Sequence, residues 1–459
     1  MVMENSFCEK PGRCDSRRLS DYLKLDGKKK VHSLVDKVYQ SRNLTLAWER
    51  VKANRGSGGI DGVTIEAFEA DLENQLNRLH EELREDRYRP QPVRRVEIPK
   101  RGDPGKTRPL GIPSIYDRVC QQALLNRLEP IFEEVFDASN FGYRKGRKTR
   151  DALGKVWREI EAGNEWIVDA DLKDYFGSVD HKKLMALISQ RVSDGRVLKM
   201  IEQILEAGYM EGNRLFPSVR GTPQGGVVSP MLSNILLTPF DKEMRRRGYR
   251  LTRWADDWVI TCRTGPEARQ ALATARKVLE TLGVTLNAKK TRIVNVAQGF
   301  CFLGFKIARG KEPKPLVVKL KAKLNRHNLY AIPAQKSVDR FKEAVRANTR
   351  RRIPLKSHEL IEGLNPIIRG WGNYYKRANV KRLFHQLDGW IVRRIWSHRY
   401  KRWRCSGWKS LPTKRLRSEL KLVSLIGLIP SIQAAKAHLR KPCTGKPYAR
   451  FEQRTEAST

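Results

Sequence analysis

The stretch Arg250-Leu-Thr-Arg-Trp-Ala-Asp-Asp-Trp-Val-Ile-Thr-Cys262 places two adjacent carboxylates between two short apolar runs. The β-branched and aromatic residues on both sides of the acids favour extended strands. Because Asp is a common turn residue, the pattern predicts a β-hairpin with Asp256 and Asp257 at its tip. Most isolated Asp-Asp pairs are simply polar turns. A functional interpretation therefore depends on the rest of the chain.

The composition is strongly basic. The 459 residues include 91 Lys and Arg against 50 Asp and Glu, a formal net charge of +41. Such a surplus is self-repelling unless a polyanion compensates for it, so nucleic acid is the expected partner. The chain has no run of about 18 apolar residues that could span a membrane, and its N-terminus lacks a secretory signal pattern. Seven cysteines without a Cys-x-x-Cys pair disfavour a disulfide framework and a zinc ribbon. The sequence predicts a cytoplasmic protein without a membrane partner.

A second acidic pair lies in the strand-like segment Trp166-Ile-Val-Asp-Ala-Asp171. Because side chains alternate along a strand, Asp169 and Asp171 share one face, and Val168 and Ala170 share the other. If this strand lies beside the hairpin in one antiparallel sheet, three carboxylates can hold two divalent cations about 4 Å apart, as two-metal phosphoryl transfer requires. Oxygen ligands of this kind suit Mg²⁺. On the residues alone, either aspartate of the strand could supply the third carboxylate.

A basic hairpin is predicted nearer the N-terminus. Two strand-like runs, 93–99 and 108–113, flank a basic turn that contains glycine. Lys100 and Arg108 offer point charge and bidentate hydrogen bonds, which suit a phosphate chain. A solvated loop is an equally good interpretation of this composition.

Apolar periodicity organises the remaining chain. It predicts single helices over residues 31–54 and 64–83, and a strand that begins at Val284. Beyond residue 309 the acids thin out, the periodicity becomes helical, and basic residues alternate with aromatics between residues 380 and 408. Such a composition allows phosphate contacts together with base stacking. A buried aromatic stripe beneath a charged surface would account for several of these tryptophans.

Several motifs occur together in the order of a known family. Those that resemble the palm motifs of reverse transcriptases are the strand at 166–171 with Tyr175-Phe176, the loop Thr222-Pro-Gln-Gly225, and Ala255-Asp-Asp257. The segment Leu364-Asn-Pro-Ile-Ile-Arg-Gly-Trp-Gly-Asn-Tyr-Tyr-Lys376 is similar to the maturase signature, domain X, of group II intron-encoded reverse transcriptases. The likeness extends from about Leu34 to about Leu411.

The resemblance implies an α+β fold in which the fingers and palm of a right-hand polymerase precede an all-helical thumb/maturase domain. The HNH endonuclease pattern of the family, a C-terminal His with paired Cys, is not found, so we expect an endonuclease-lacking lineage whose primer comes from elsewhere, such as a nascent strand at a replication fork. The expected regions are a polar N-terminal appendage (1–30), fingers with an N-terminal extension (31–165), a palm (166–309), a thumb/maturase domain (310–415) and a basic C-terminal region without an endonuclease (416–459).

The same resemblance assigns roles to particular residues. Asp171, Asp256 and Asp257 would be the catalytic, metal-binding carboxylates, since the family places its first catalytic acid five residues before an aromatic, here Phe176. Two Mg²⁺ ions and deoxynucleoside triphosphates are implied. The nucleotide contacts would be Lys100 and Arg108 at the triphosphate, Phe176 as the steric gate against a ribose 2′-hydroxyl, Gln224 and Lys290. The expected RNA-binding residues are Arg369, Trp371, Tyr374, Tyr375, Lys376, Arg393 and Arg394.

One position departs from the family pattern. The family usually has Tyr before Ala-Asp-Asp, whereas this chain has Trp254, so contacts at the primer end or the base-pair edge are expected to differ. The predicted protein is an RNA-directed DNA polymerase that binds its own group II intron RNA, assists splicing, and copies the intron at a primed DNA target during retrohoming. A domesticated, retron-like or CRISPR-associated reverse transcriptase is disfavoured by the domain X signature. A splicing maturase with a silent polymerase site is disfavoured by the intact acids. The sequence leaves the oligomeric state open.

Overall fold

The computed structural model describes residues 30–99, 105, 107–310, 329–401 and 407–430. The chain divides into two compact units, Met1–Tyr330 and Ala331–Thr459. Most of the predicted appendage (1–29) and the end of the predicted C-terminal region (431–459) lie outside the described residues. The predicted boundary between residues 309 and 310 adjoins residues 311–328, which also lie outside them, and it stays a prediction.

Short helices open the first unit, and each of the two helices predicted from periodicity is broken in the structure. At Gln40 the backbone is extended, with ψ near 130°. At Asp71 the carboxylate accepts hydrogen bonds from the side chains of Asn74 and Gln75. Such local side-chain bonds compete with a continuous helix. The resulting helices are α1 (Val35–Tyr39), α2 (Ser41–Ala53), α3 (Ile65–Ala70) and α4 (Leu72–Arg84).

The predicted basic hairpin is present, with its two strands antiparallel from the Arg94–Ile112 pair to the Pro99–Thr107 pair. The helix over residues 149–161 was not predicted from the sequence, although Ala152, Val156 and Ile160 lie at four-residue steps and are fully buried. The elements of this region are β1 (Val93–Pro99), β2 (Thr107–Ile112), α5 (Ile115–Glu133) and α6 (Thr149–Glu161).

The rest of the first unit alternates strands with helices. Its elements are β3 (Trp166–Asp171), α7 (Tyr175–Ser178), α8 (His181–Ile188), α9 (Gly195–Glu206), β4 (Tyr209–Glu211), β5 (Arg214–Phe216), α10 (Ser229–Arg246), β6 (Arg250–Trp254), β7 (Asp257–Cys262), α11 (Gly265–Thr281), β8 (Arg292–Asn295), β9 (Phe300–Phe302) and β10 (Phe305–Arg309).

Two four-stranded sheets organise these elements. One has the order β2-β1-β4-β5, and the other has the order β6-β7-β3-β8. In the second sheet β3 is central and pairs antiparallel with both β7 and β8. Helix α11 packs on β3 and β7, and α10 packs on β6. This sheet therefore holds the acidic strand and the acidic hairpin side by side.

The strand predicted to begin at Val284 is not present as a regular strand. Leu286 makes only an isolated antiparallel bridge with Leu172, and the regular strand β8 begins at Arg292. Between them Asn287 forms a turn, because its carbonyl accepts hydrogen bonds from the backbone N–H groups of Lys290 and Thr291. The sequence pattern did not predict this turn, which brings residues 287–290 alongside the end of β3.

The N-terminal segment docks on the start of α9. The Val31 N–H donates to the Arg191 carbonyl at 2.8 Å. The Asp194 carboxylate accepts the backbone N–H groups of Leu34 at 2.6 Å and Val35 at 2.8 Å, and it also caps α9. One carboxylate thus joins two parts of the chain that are about 160 residues apart.

The second unit is helical beyond the strand at its start. Its core contains packed aromatic rings: Phe341 and Trp371 are stacked with their centres 4.5 Å apart, and Trp371 and Phe384 are tilted with their centres 5.7 Å apart. No helix among the described residues has both the length and the apolar character needed to cross a membrane. The elements are β11 (Leu329–Pro333), at the junction of the units, α12 (Gln335–Asn348), α13 (Ser357–Tyr375), α14 (Lys381–Tyr400), α15 (Thr413–Ser418) and a 3₁₀ turn, Ile426–Leu428.

Candidate active site

The β6–β7 hairpin has a two-residue turn formed by Ala255 and Asp256, and Asp257 begins β7. Trp254 and Asp257 are the last cross-strand pair before the turn. Ala255 has a φ of +58°, a left-handed conformation that few residues other than glycine adopt. The predicted acidic hairpin tip is therefore present, and its backbone is constrained.

A third carboxylate lies directly across the sheet. Asp171, the last residue of β3, pairs with Asp257 in the antiparallel register. Residues opposite each other in such a pair have Cβ atoms about 4.5–5.5 Å apart. Asp169 lies on the same face one pleat further along, opposite Val259. We refer to Asp169, Asp171, Asp256 and Asp257 as the acid cluster.

Burial and mutual repulsion perturb these carboxyl groups. Burial, followed by the charges of Asp169, Asp256 and Asp171, raises the pKa of Asp257 to about 7. Burial also raises the pKa of Asp256, and the neighbouring Asp171 adds to this effect. When these neighbouring carboxylates are ionised they repel one another, and this repulsion favours the binding of a cation at the site.

Two basic side chains contact the acid cluster. The Lys290 ammonium lies 2.5 Å from an Asp171 carboxylate oxygen, and the Asn287 amide lies 3.5 Å from the same oxygen. Arg292 on β8 is 2.8 Å from Asp169, its cross-strand partner. Both aspartates of β3 are thus ion-paired, and Asp171 is the better candidate for the third ligand because it alone lies directly opposite Asp257.

The donor set fits a divalent cation by its chemistry, since it offers only carboxylate oxygens in a charge-rich pocket. The Asp171 carboxylate contacts Lys290. Among the described residues, no three Asp, Glu, His or Cys side chains are arranged so that they could hold a metal ion together. A cation bound at this site would lie against the Asp171 carboxylate, one oxygen of which contacts the Lys290 ammonium.

Backbone hydrogen bonds hold each of the two predicted nucleotide-contact residues Phe176 and Gln224 in place. The Thr222 N–H donates to the Phe176 carbonyl at 2.8 Å, and the Gly111 N–H of β2 donates to the Gln224 carbonyl at 2.7 Å. Gly221 has a φ of +92°, and a Cβ there would lie 2.9 Å from the Phe176 oxygen. The loop at 222–225 is therefore fixed between α7 and β2.

Arg108 lies exposed on β2, whereas Lys100 lies outside the described residues. Tyr143, which was not predicted from the sequence as a site residue, interacts electrostatically with both Asp256 and Arg108. Its side chain is 49% exposed, and its φ is +54°. Burial raises the pKa of its phenol, Asp256 adds to the rise, and Arg108 opposes it. Tyr143 is therefore an additional candidate for contact with a substrate.

The predicted RNA-binding residues separate into two groups. Arg369, Tyr374 and Arg393 are exposed, and Lys376 is half-buried. Three others also make contacts within the second unit. Tyr375 is 3% exposed and donates to Ser337, Trp371 donates to the same hydroxyl, and Arg394 donates to the Thr349 hydroxyl and carbonyl. Their assignment to RNA binding stays a prediction.

Comparison with known families defines the class of protein. Residues 98–307 match the family described as "Reverse transcriptase (RNA-dependent DNA polymerase)". Residues 338–416 match "Group II intron, maturase-specific domain". The protein is a reverse transcriptase with an appended maturase domain, and the predicted fold class and enzyme class are confirmed.

Comparison with individual proteins identifies the family within this class. The chain is 32% identical to Protein YkfC of Escherichia coli (strain K12) over 64% of this chain and 87% of that protein. It is 36% identical to the group II intron-encoded protein LtrA of Lactococcus lactis subsp. cremoris, over 43% of this chain but only 32% of LtrA. A chain of a partial Cas6-RT-Cas1–Cas2 complex matches with a TM-score of 0.35 at 23% identity, over 54% of this chain and 42% of that one. The chain belongs to the group II intron-encoded reverse transcriptase/maturase family, as the resemblance predicted.

Proposed function

We propose that this protein copies RNA into DNA at the acid cluster, with Asp171, Asp256 and Asp257 as the ligands of two Mg²⁺ ions. The observation that supports this most directly is the cross-strand pair Asp171–Asp257 with Asp256 in the adjoining turn. Rigid strands hold two of these carboxylates, which favours a reproducible geometry.

The remaining roles belong to residues around the cluster. When bound, the two ions would activate the attacking hydroxyl and stabilise the leaving oxygen. Lys290 can move its ammonium from Asp171 to a phosphate oxygen, since its side chain is half exposed. Arg108, with Lys100, would hold the triphosphate of a deoxynucleoside triphosphate. Phe176 would exclude a ribose 2′-hydroxyl, and Gln224 would contact the incoming nucleotide.

The proposed RNA partner is the group II intron that encodes the protein, and the proposed role is to assist splicing and retrohoming to a primed DNA target in the bacterial cytoplasm. The maturase match at 338–416 and the exposed cations Arg369 and Arg393 support RNA binding by the second unit. A charge of +41 is suited to a large polyanion.

The test is primer extension by the purified full chain on an RNA template with a DNA primer and Mg²⁺. We expect Asp256→Ala with Asp257→Ala, and separately Asp171→Asn, to lower the rate at least about 10³-fold, because the metal contribution of several kcal/mol is lost. RNA affinity, measured by filter binding, should stay at the wild-type value.

Asp169→Asn is the matched control. It removes a carboxylate from the same strand face, but that carboxylate lies opposite Val259 and not opposite Asp257, so extension should fall no more than a few fold. Survival of extension in the Asp256/Asp257 double variant would show that the metal site is assigned wrongly. Intron splicing by a wild-type protein that cannot extend a primer would favour a maturase with a silent polymerase site.

A further inference from the structure

A buried cation lies directly beneath the acidic turn. Arg253 precedes Asp256 by three residues, and its side chain has no exposed surface. Arg is almost never fully buried unless it is paired. The sequence gives no sign of this burial, because Arg253 lies between residues of an ordinary strand.

Three nitrogens of the Arg253 guanidinium are engaged. Nε and Nη2 donate to the two oxygens of Asp241 on α10, at 2.7 and 2.5 Å, in a bidentate pair whose carboxylate is also fully buried. Nη1 donates to the Asn234 side-chain oxygen at 3.1 Å and to the Ala255 carbonyl at 2.9 Å. Only the planar fork of arginine supplies donors in all these directions.

The bond to Ala255 acts on the turn itself. Ala255 is the left-handed residue of the hairpin, and its carbonyl belongs to the peptide that joins it to Asp256. An uncommon backbone conformation persists only where its surroundings hold it. Fixing this carbonyl therefore fixes the plane of the peptide from which the Asp256 side chain departs.

The same network holds the loop that contains Tyr143. The Asn234 amide donates to the Gly142 carbonyl at 2.9 Å. The Phe141 N–H donates to the Arg253 carbonyl at 2.8 Å, and the Arg253 N–H donates to the Ser139 carbonyl at 2.9 Å. A Cβ on Gly142 would overlap the Ala255 amide nitrogen, so this close approach requires glycine.

We infer that Arg253 is a positioning residue for nucleotidyl transfer: clamped by Asp241, it holds the Ala255 carbonyl and, through Asn234, the loop of Tyr143, and so sets the acidic turn against the substrate. The inference rests on the proposed function, because it takes Asp256 and Asp257 to be the metal ligands. The competing explanation is that the Arg253–Asp241 pair only stabilises the core.

An apolar replacement of the pair separates the two explanations. Buried ion pairs replaced by apolar residues of similar volume often keep or gain stability. We expect Arg253→Met with Asp241→Leu to unfold at a urea concentration close to that of wild type. Its kcat for primer extension should nevertheless fall about 10²-fold, the cost of a misplacement of about 1 Å, and its half-saturating Mg²⁺ concentration should rise. A double variant with wild-type stability, kcat and Mg²⁺ dependence would overturn the inference.

Arg253→Lys provides a second variant. Lysine keeps the charge opposite Asp241 but cannot bond both Asp241 and the Ala255 carbonyl, so kcat should fall about tenfold, the effect of one lost hydrogen bond. A wild-type kcat in this variant would also contradict the inference.

The matched control lies on the same helix. Glu243 is a buried acid on α10, and its carboxylate accepts from Arg247 at 2.6 Å. Glu243→Gln should alter stability but leave kcat and Mg²⁺ dependence unchanged. If Asp256→Ala with Asp257→Ala abolishes extension while the Arg253/Asp241 variant is fully active, the inference fails and the proposed function stands. If the Asp256/Asp257 variant is active, the proposed function fails.

Discussion

Asp257 is both a cross-strand partner of Asp171 and an acid whose pKa burial raises from 3.8 to about 7. Between these two values the folded protein binds a proton that the unfolded chain has released. Without metal, the free energy of unfolding contributed by this group is therefore fully present below about pH 4 and is lost as the pH rises through about 7.

The direction of this pH dependence can be tested by measuring unfolding. In the presence of a chelator, we expect urea unfolding to show lower stability at about pH 8 than at about pH 5, and Asp257→Asn should flatten the decline. Added Mg²⁺ should restore stability at the higher pH, since a ligand of the folded state stabilises it. An equally steep decline in Asp257→Asn would contradict the assignment of this pKa.

Single residues also show which features of the site can be predicted from the sequence and which cannot. The Asp-Asp tip and the alternation of β3 were predictable, because turn residues and two-residue periodicity are local signals. The sequence could not decide between Asp169 and Asp171 because both lie on one strand face. The residues opposite them on β7 distinguish them, since Asp171 faces Asp257 and Asp169 faces Val259. The burial of Arg253 depends on Asp241, which lies on a different element.

Among the elements, periodicity correctly predicted helical structure in the segments 31–54 and 64–83 but not the interruptions of these helices. Gln40 and Asp71 break them through local conformation and side-chain hydrogen bonds, which a count of apolar positions does not detect. The β4–β5 hairpin escaped prediction because each strand has three residues. Runs that short contain too little alternation to identify a strand.

One buried carboxylate attaches the 3₁₀ turn to α14. Asp388 is 5% exposed and accepts the Ser424 hydroxyl at 2.7 Å, the Leu425 N–H at 2.8 Å and the Ile426 N–H at 3.2 Å. Asp388→Ala leaves these donors without their acceptor, at a cost of about 1–3 kcal/mol. We expect faster hydrogen exchange at the amides of Leu425 and Ile426.

Asp339 provides the control for this element. It is an exposed acid on α12 that accepts a hydrogen bond from Gln335. Asp339→Ala should leave the exchange rates at residues 425 and 426 unchanged. Unchanged rates in Asp388→Ala would mean that packing alone holds the segment.

For the whole molecule, charge is the property that the sequence predicted most directly, although it did not say which cations face outward. We expect Arg369→Gln with Lys376→Gln and Arg393→Gln to reduce the slope of log affinity for intron RNA against log salt by about two, if each residue neutralises one phosphate. Extension on a generic template should persist. Equal loss of extension and intron binding would argue against a separate RNA-binding role for the second unit.

Arg415→Gln is the comparison for this triple variant. Arg415 is also exposed in the second unit, but it is paired with Glu419 at 2.6 Å. Its replacement should change the salt slope by less than any one of the three cations. A slope as strongly reduced as in the triple variant would indicate that net charge, not the particular surface, governs RNA binding.

The contact between Asp194 and the backbone of Leu34 and Val35 also determines when the N-terminal segment can dock during synthesis of the chain. These hydrogen bonds span about 160 residues, so they form only after the ribosome has synthesised residue 194 and released it from the exit tunnel. At 5–20 residues per second, this delay is roughly ten to thirty seconds. During that interval the nascent N-terminal segment lacks its docking partner, and it can dock only once residue 194 of the 459 has left the ribosome.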